Sequence, residues 1–285
     1  SHDLPFIVRF VRMCTYKNLR STQMKCPCCQ SSNICHRQAK TKRGFNQYQC
    51  RNCLKYFNEK TGSPYNFTQY PIDVIKLAVF FYYRYKLSLV DVSELLALRG
   101  IMMSHETIRQ WVMRFGTEIG KQFRKGRWGM GGKKWHMDIT YLKVQGYDVY
   151  LYRAIDKEGN LIDVYLSEDR NKYAAYKFFK QCRKTTHIIP SQITTDKEPG
   201  FKDAIHRSLG ADVIHRDNKY MNNRIEQSHR GIKSWVRPMK GFKSLWSAMI
   251  TCHVFEEFRQ FFRTVMPLSK RRGFIASQFQ EMLLM

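Results

Sequence analysis

Acidic residues are scarce in this chain. Its 285 residues hold 23 Asp and Glu against 49 Lys and Arg, a formal net charge of +26. A surface with that imbalance repels its own copies and attracts polyanions, which makes nucleic acid the first partner to consider and an anionic membrane the second. The bias begins early: residues 1–60 carry twelve Lys and Arg, opposed only by Asp3 and Glu59. Long apolar runs are also missing. The best one, residues 75–83, is short, contains Lys76 and runs into Arg84, which excludes a membrane-spanning helix there. No signal-peptide pattern is present. The first residue is Ser1 rather than Met, so a missing or processed start is expected. The glycine-rich stretch 126–132 lacks the GK[ST] or GxGxxG signature that would make it a phosphate loop, and it reads as a linker. Nine cysteines do not form a disulfide framework: four have metal-ligand spacing and the rest are scattered. That usage fits a reducing cytoplasm.

What is present is the composition of a folded protein, long enough for one large domain or a medium domain with small ones. Three units are expected: a zinc-ribbon region at 1–65, a helical DNA-binding domain at 66–125 and an α/β domain at 126–285. In the first, Cys26-Pro27-Cys28-Cys29 and Cys50-Arg51-Asn52-Cys53 make two CxxC knuckles separated by twenty residues. Thiolates at i and i+3 on a tight turn take two corners of a tetrahedron, and the second knuckle supplies the other two. Cys26, Cys29, Cys50 and Cys53 are therefore the expected ligands of a structural Zn²⁺. Cys28 could replace either member of the first pair, and Cys35 and His36 are weaker alternatives. Gly44 marks a hairpin, with Tyr48 and Phe57 available as a small core.

In the second unit Pro71 opens a helix carrying Ile72, Ile75, Val79 and Phe80 at helical spacing. Ser88 and Asp91 have the spacing of a capping box. Gly100 suits the left-handed turn that ends the next helix, and Ser104 can cap a third. Helix, glycine turn, helix is the helix-turn-helix pattern. It places His105, Glu106, Arg109 and Gln110 on or near the DNA-facing side. An ordinary helical hairpin is the bland alternative.

The third unit reads as strands at 135–144, 147–155 and 161–166, a helix at 172–183, a strand at 192–195, a helix at 199–209, a strand at 211–215 and a helix at 223–236. A further amphipathic helix carries Ile250, Val254, Phe258 and Phe262. Three antiparallel strands followed by helix, strand, helix, strand and helix is the order of an RNase H-like core. Asp138 lies in the first strand, Asp196 closes the fourth, and Glu226 sits on the helix that follows. Singly, each has a surface or capping role to play. In this topology the first and fourth strands are neighbours, so the three can converge. Hard oxygen ligands in such a cluster suit Mg²⁺ (or Mn²⁺), paired for in-line displacement at phosphorus. Arg230, Lys233 and Arg237, at spacings of three and four, would hold DNA phosphates nearby.

Several linked stretches resemble one family. They are residues 135–141 and 150–156, Thr195-Asp196-Lys197, residues 222–227, Arg237-Pro238-Met239-Lys240-Gly241-Phe242-Lys243 and residues 104–109. In this order they closely resemble the DDE insertion-sequence transposases of the IS-six family, over about residues 65–265. The resemblance implies an integrase-type RNase H-like core with Asp138, Asp196 and Glu226 as catalytic residues. It implies a polynucleotidyl transferase that frees the 3′ ends of a mobile element and joins them to target DNA. Lys197 joins the expected DNA contacts. The implied partners are double-stranded DNA (terminal inverted repeats and target) and a second copy of the chain, as a homodimer or larger synaptic complex. The implied setting is the prokaryotic cytoplasm, on the nucleoid. Three features depart from the family pattern: only 29 residues separate Asp196 from Glu226, Ile139 replaces an expected Glu and Ser228 an expected Asp. They leave open a second reading, a catalytically inactive, domesticated or decayed DNA-binding protein.

Overall fold

A computed structural model describes residues 24–41, 44–196, 200–217, 223–237 and 241–285, with the backbone alone for 223–228. Two compact units emerge, one formed by the described residues up to Tyr82 with Leu87–Phe115 and Gln280–Leu284, the other by Tyr83–Lys86 and Gly116–Phe279.

The first unit begins with a three-stranded antiparallel sheet, β1 (Ile34–Lys40), β2 (Asn46–Cys50) and β3 (Tyr56–Phe57). Its core is little more than Cys26, Cys50 and Phe57, flanked by Ile34, Tyr48 and Cys53. So small an apolar cluster cannot hold three strands by burial alone. Helices α1 (Ile72–Tyr85), α2 (Leu89–Ala97) and α3 (His105–Lys125) follow. The capping box at Ser88 forms in both directions: Ser88 Oγ accepts from Asp91 N–H at 3.0 Å, and Asp91 Oδ2 from Ser88 N–H at 2.9 Å. Gly100 has φ +72°, the turn conformation expected of it, and Ser104 Oγ accepts from Thr107 N–H. Lys76, the charge that interrupts the apolar run, is buried and donates to the carbonyls of Met282 and Leu283.

The second unit is built on a five-stranded sheet in the order β6-β5-β4-β7-β8, with β4 (Lys134–Val144), β5 (Tyr147–Asp156), β6 (Leu161–Ser167), β7 (Gln192–Thr195) and β8 (Ile214–Asp217). The first three strands are antiparallel; β7 and β8 run parallel to β4. Helix α4 (Lys172–Thr186) links the two halves, and α5 (Phe201–Leu209) links β7 to β8. This is the RNase H-like order that the sequence predicts, a mixed α/β core. Trp135, Met137 and Ile193 point to one face, where Phe178, Phe179 and Ile205 from α4 and α5 complete the core. Alternation along β4 sends Asp138 to the other face. Helices α6 (Asn223–Val236) and α7 (Leu245–Phe261) are joined by Trp235 stacked on Phe255 at 4.8 Å.

The structure differs from the sequence reading in places: α4 runs on to Thr186 and α5 begins at Phe201. β8 begins at Ile214, not 211, because residues 211–213 form the turn after Gly210 and Val213 is a core anchor. Helix α8 (Leu268–Leu284) lacks the amphipathic pattern that would announce it: among its described residues only Met282 is buried. No helix among the described residues is long and apolar enough to cross a membrane.

Candidate active site

The strand that carries Asp138 and the strand that ends just before Asp196 are neighbours in the sheet. β4 and β7 pair in parallel, Lys134 with Gln192 and His136 with Thr194, an offset of 58. Asp138 lies two residues beyond the last of these pairs on β4, and Asp196 directly follows the last residue of β7; neighbouring strands lie about 5 Å apart. Asp138 Oδ1 accepts from the Ile139 N–H at 2.8 Å. Its Oδ2 lies 3.1 Å from His229 Nε2, which comes from α6. That contact lacks hydrogen-bond alignment, and both ring nitrogens of His229 are buried without a hydrogen-bond partner among the described residues. Glu226 stands in the same helix, three positions before His229; its side chain lies outside the described residues, as do Lys197 and its neighbours.

The position of α6 is over-determined. Lys86 donates to Gly231 O and Ser234 Oγ, both at 3.0 Å, and Tyr83 packs on Trp235. Gly231 allows Arg259 to approach closely: a Cβ there would meet its Nη1 at 2.9 Å. Opposite Asp138 on β5 sits Arg153, buried and paired with Glu256 of α7 at 2.9 Å. Arg230, Lys233 and Arg237 are exposed, with Lys233 Nζ 5.0 Å from the centre of the Tyr141 ring. The His229 contact is a feature that the sequence analysis did not single out. Its spacing of three from Glu226 was the available signal.

In the first unit, the Sγ atoms of Cys26, Cys29, Cys50 and Cys53 all lie within 4.8 Å of one another. The closest pairs are Cys26–Cys53 at 3.5 Å and Cys29–Cys50 at 3.4 Å. A tetrahedron with Zn–S bonds of about 2.3 Å has edges of about 3.8 Å, so the donor set fits zinc. Cys28, Cys35 and His36 are not part of the cluster. The backbone N–H of Cys53 holds the Cys50 thiol down to about 6 against the effect of burial. Against the pull of the Lys55 N–H, burial and the neighbouring thiols push Cys53 up to about 12. Four thiolates this close need a cation to coexist. On α3, His105, Arg109 and Gln110 are all exposed, and Arg109 is held by Glu106 in a two-pronged ion pair at 2.6 and 2.8 Å.

Comparison with known proteins was decisive. A family model described as a DDE domain matches residues 132–265. A transposase for the insertion sequence-like element IS431mec of Staphylococcus aureus is 39% identical over 173 residues, covering 59% of this chain and 76% of the relative. The chain belongs to the DDE insertion-sequence transposases of the IS-six family. A second Staphylococcus aureus relative, the transposase for insertion sequence element IS257 in transposon Tn4003, matches at the same identity and coverage. Among solved structures, the HTLV-2 integrase catalytic core domain in complex with magnesium aligns with 51% of this chain and 98% of its own, at 17% identity and a TM-score of 0.37. As a member of this family the chain is a DNA transposase, a polynucleotidyl transferase.

Proposed function

We propose that this transposase cleaves the 3′ ends of its insertion sequence and joins them to target DNA at a site formed by Asp138, Asp196 and Glu226. The observation that supports the reading is the parallel pairing of β4 with β7: extended two residues past His136 and Thr194 it would set Asp138 opposite Asp196, and His229 of α6, the helix of Glu226, reaches Asp138. Bound Mg²⁺ or Mn²⁺ would activate the attacking oxygen and neutralise charge on the leaving one. The chain's own residues do the rest. Asp138, which accepts from the Ile139 N–H with His229 Nε2 3.1 Å away, and Asp196, at the end of a buried strand, would present hard oxygen donors. Exposed Arg230, Lys233 and Arg237, with Lys197, hold the DNA backbone. In the first step water attacks the phosphorus at the element's end and the 3′ oxygen leaves as a hydroxyl. In the second that hydroxyl attacks a target phosphodiester, forming the new bond as another 3′ oxygen departs. The segment between Asp196 and Glu226, though short, still contains α5 and β8 complete, which favours activity over a decayed remnant.

The zinc ribbon, the helix-turn-helix with His105, Arg109 and Gln110, and the catalytic core act as three functional segments in this reading. Cys26, Cys29, Cys50 and Cys53 would hold the Zn²⁺. Terminal repeats are paired by a dimer or larger assembly, on nucleoid DNA in the cytoplasm. The test is strand transfer by purified protein on labelled element ends. Joined product with Mg²⁺ or Mn²⁺ and none with EDTA supports the proposal; binding of ends without cutting or joining under any divalent metal overturns it.

A further inference from the structure

The turn between α3 and β4 carries Trp128, which is 69% exposed, an unusual place for the largest side chain. It stacks on His187 with ring centroids 3.6 Å apart and planes 16° from parallel. His187 caps α4 in the left-handed conformation, φ +57°, which a residue other than glycine adopts at a cost. Two backbone bonds fix the arrangement: His187 N–H to Arg183 O at 2.8 Å and Gly129 N–H to Thr186 O at 2.9 Å. One face of the indole is thus covered by the imidazole, and the exposure belongs to the other.

Both rings line a cleft of about 630 Å³ together with Lys121, Arg124, Lys125 and Lys184. The size falls in the range of about 300–1,000 Å³ that takes small ligands. Arg124 is committed to Asp163 and Thr185, each at 2.6 Å, and the rim's Glu118 to Lys121 at 2.8 Å. Lys125 and Lys184 stand exposed and form no ion pair with a described acid. A rigid aromatic platform flanked by such cations is the chemistry of an unpaired nucleotide: the base stacks, the phosphates meet the ammonium groups. A duplex keeps its base faces buried in its own stack and cannot use the platform.

We propose that Trp128, backed by His187 and flanked by Lys125 and Lys184, is a binding site for single-stranded DNA, separate from the three carboxylates. The inference does not depend on which acids carry catalysis, so strand-transfer activity and this site can fail independently. The test is fluorescence anisotropy of a labelled oligothymidylate and of a duplex of equal length, using the full chain. Trp128→Ala should weaken single-strand binding roughly tenfold and leave duplex binding within about twofold, while Trp128→Phe retains most of the affinity. Lys184→Gln should lower the salt dependence of single-strand binding by about 0.7 in log–log slope. Oligonucleotides bearing iodouracil should photocross-link to the peptide that contains Trp128. Unchanged single-strand affinity in Trp128→Ala, or equal loss for single strand and duplex, overturns the proposal. Should Trp128→Ala fail to fold by circular dichroism, the Lys184→Gln slope and the cross-link decide, and an unchanged slope with cross-links elsewhere overturns it.

Discussion

Replacing Arg127 by Leu should damage the catalytic unit more as the pH rises. Arg127 is 4% exposed, and its guanidinium donates to Leu161 O at 2.7 Å, Ile162 O at 2.8 Å and Glu257 Oε1 at 2.7 Å. Removing one partner of a buried ion pair costs about 3–5 kcal/mol, because the other is left charged without compensation. The two carbonyls lose a donor as well, at about 1 kcal/mol each where water cannot replace it. Burial pushes the Glu257 carboxyl up to about 7, helped by the Asp163 charge, even with the Arg127 and Arg124 guanidinium groups pulling it down. An acid whose folded pKa is raised holds a proton in the native state that the unfolded chain has released. Its contribution to stability is therefore greatest below the unfolded value and is lost as pH rises toward about 7. Without Arg127 that folded value climbs further, and each unit of climb adds about 1.4 kcal/mol to the deficit above neutrality. Urea denaturation of wild type and Arg127→Leu at pH 5.5 and 8.5 measures this. The expected loss is about 3–5 kcal/mol at the higher pH and smaller at the lower. Adding Glu257→Gln should recover part of it at pH 8.5. A loss under about 1 kcal/mol, or one equal at both pH values, would refute the reasoning.

Other consequences are open to measurement. Cys50→Ser should abolish stoichiometric zinc, measured by atomic absorption, and leave 24–58 open to proteolysis; retained zinc would mean that another donor completes the site. His229→Ala should weaken Mn²⁺ binding, followed by calorimetry without DNA, by roughly 10–100-fold, with His229→Gln less affected, because the ring positions Asp138. Lys233→Ala should lower duplex affinity across sequences and reduce the salt slope by about one; a sequence-selective loss would place this residue at base edges instead.

The order of elements in the second unit was legible because its strands are apolar runs of strand length, with alternation along β4, and its turns carry Gly146 and the Asp156–Asn160 hairpin. That the strands bearing Asp138 and preceding Asp196 are neighbours followed from topology alone. The ribbon cysteines were legible because tetrahedral coordination constrains spacing. Less visible was whatever depends on contacts between distant segments. Glycines at 126–132 read as a linker, yet Arg127 is buried among β6 carbonyls and α7, and Trp128 seats on His187. Nothing local to those residues announces their partners. Helix α8 escaped for another reason: its apolar residues, such as Phe274, Ile275 and Phe279, do not gather on one face, and its last turn is engaged by Lys76, a residue some two hundred positions earlier. His229 was visible as a neighbour of Glu226, but its approach to Asp138 depends on how α6 is pinned.

The central claim is that Asp138 belongs to a metal-dependent strand-transfer site. Its most direct test compares wild type with Asp138→Asn on labelled element ends, with Mg²⁺ present and end binding measured in parallel. The account predicts that the variant binds the ends as wild type does and forms no joined product. Joining by Asp138→Asn at a rate near that of wild type would contradict it.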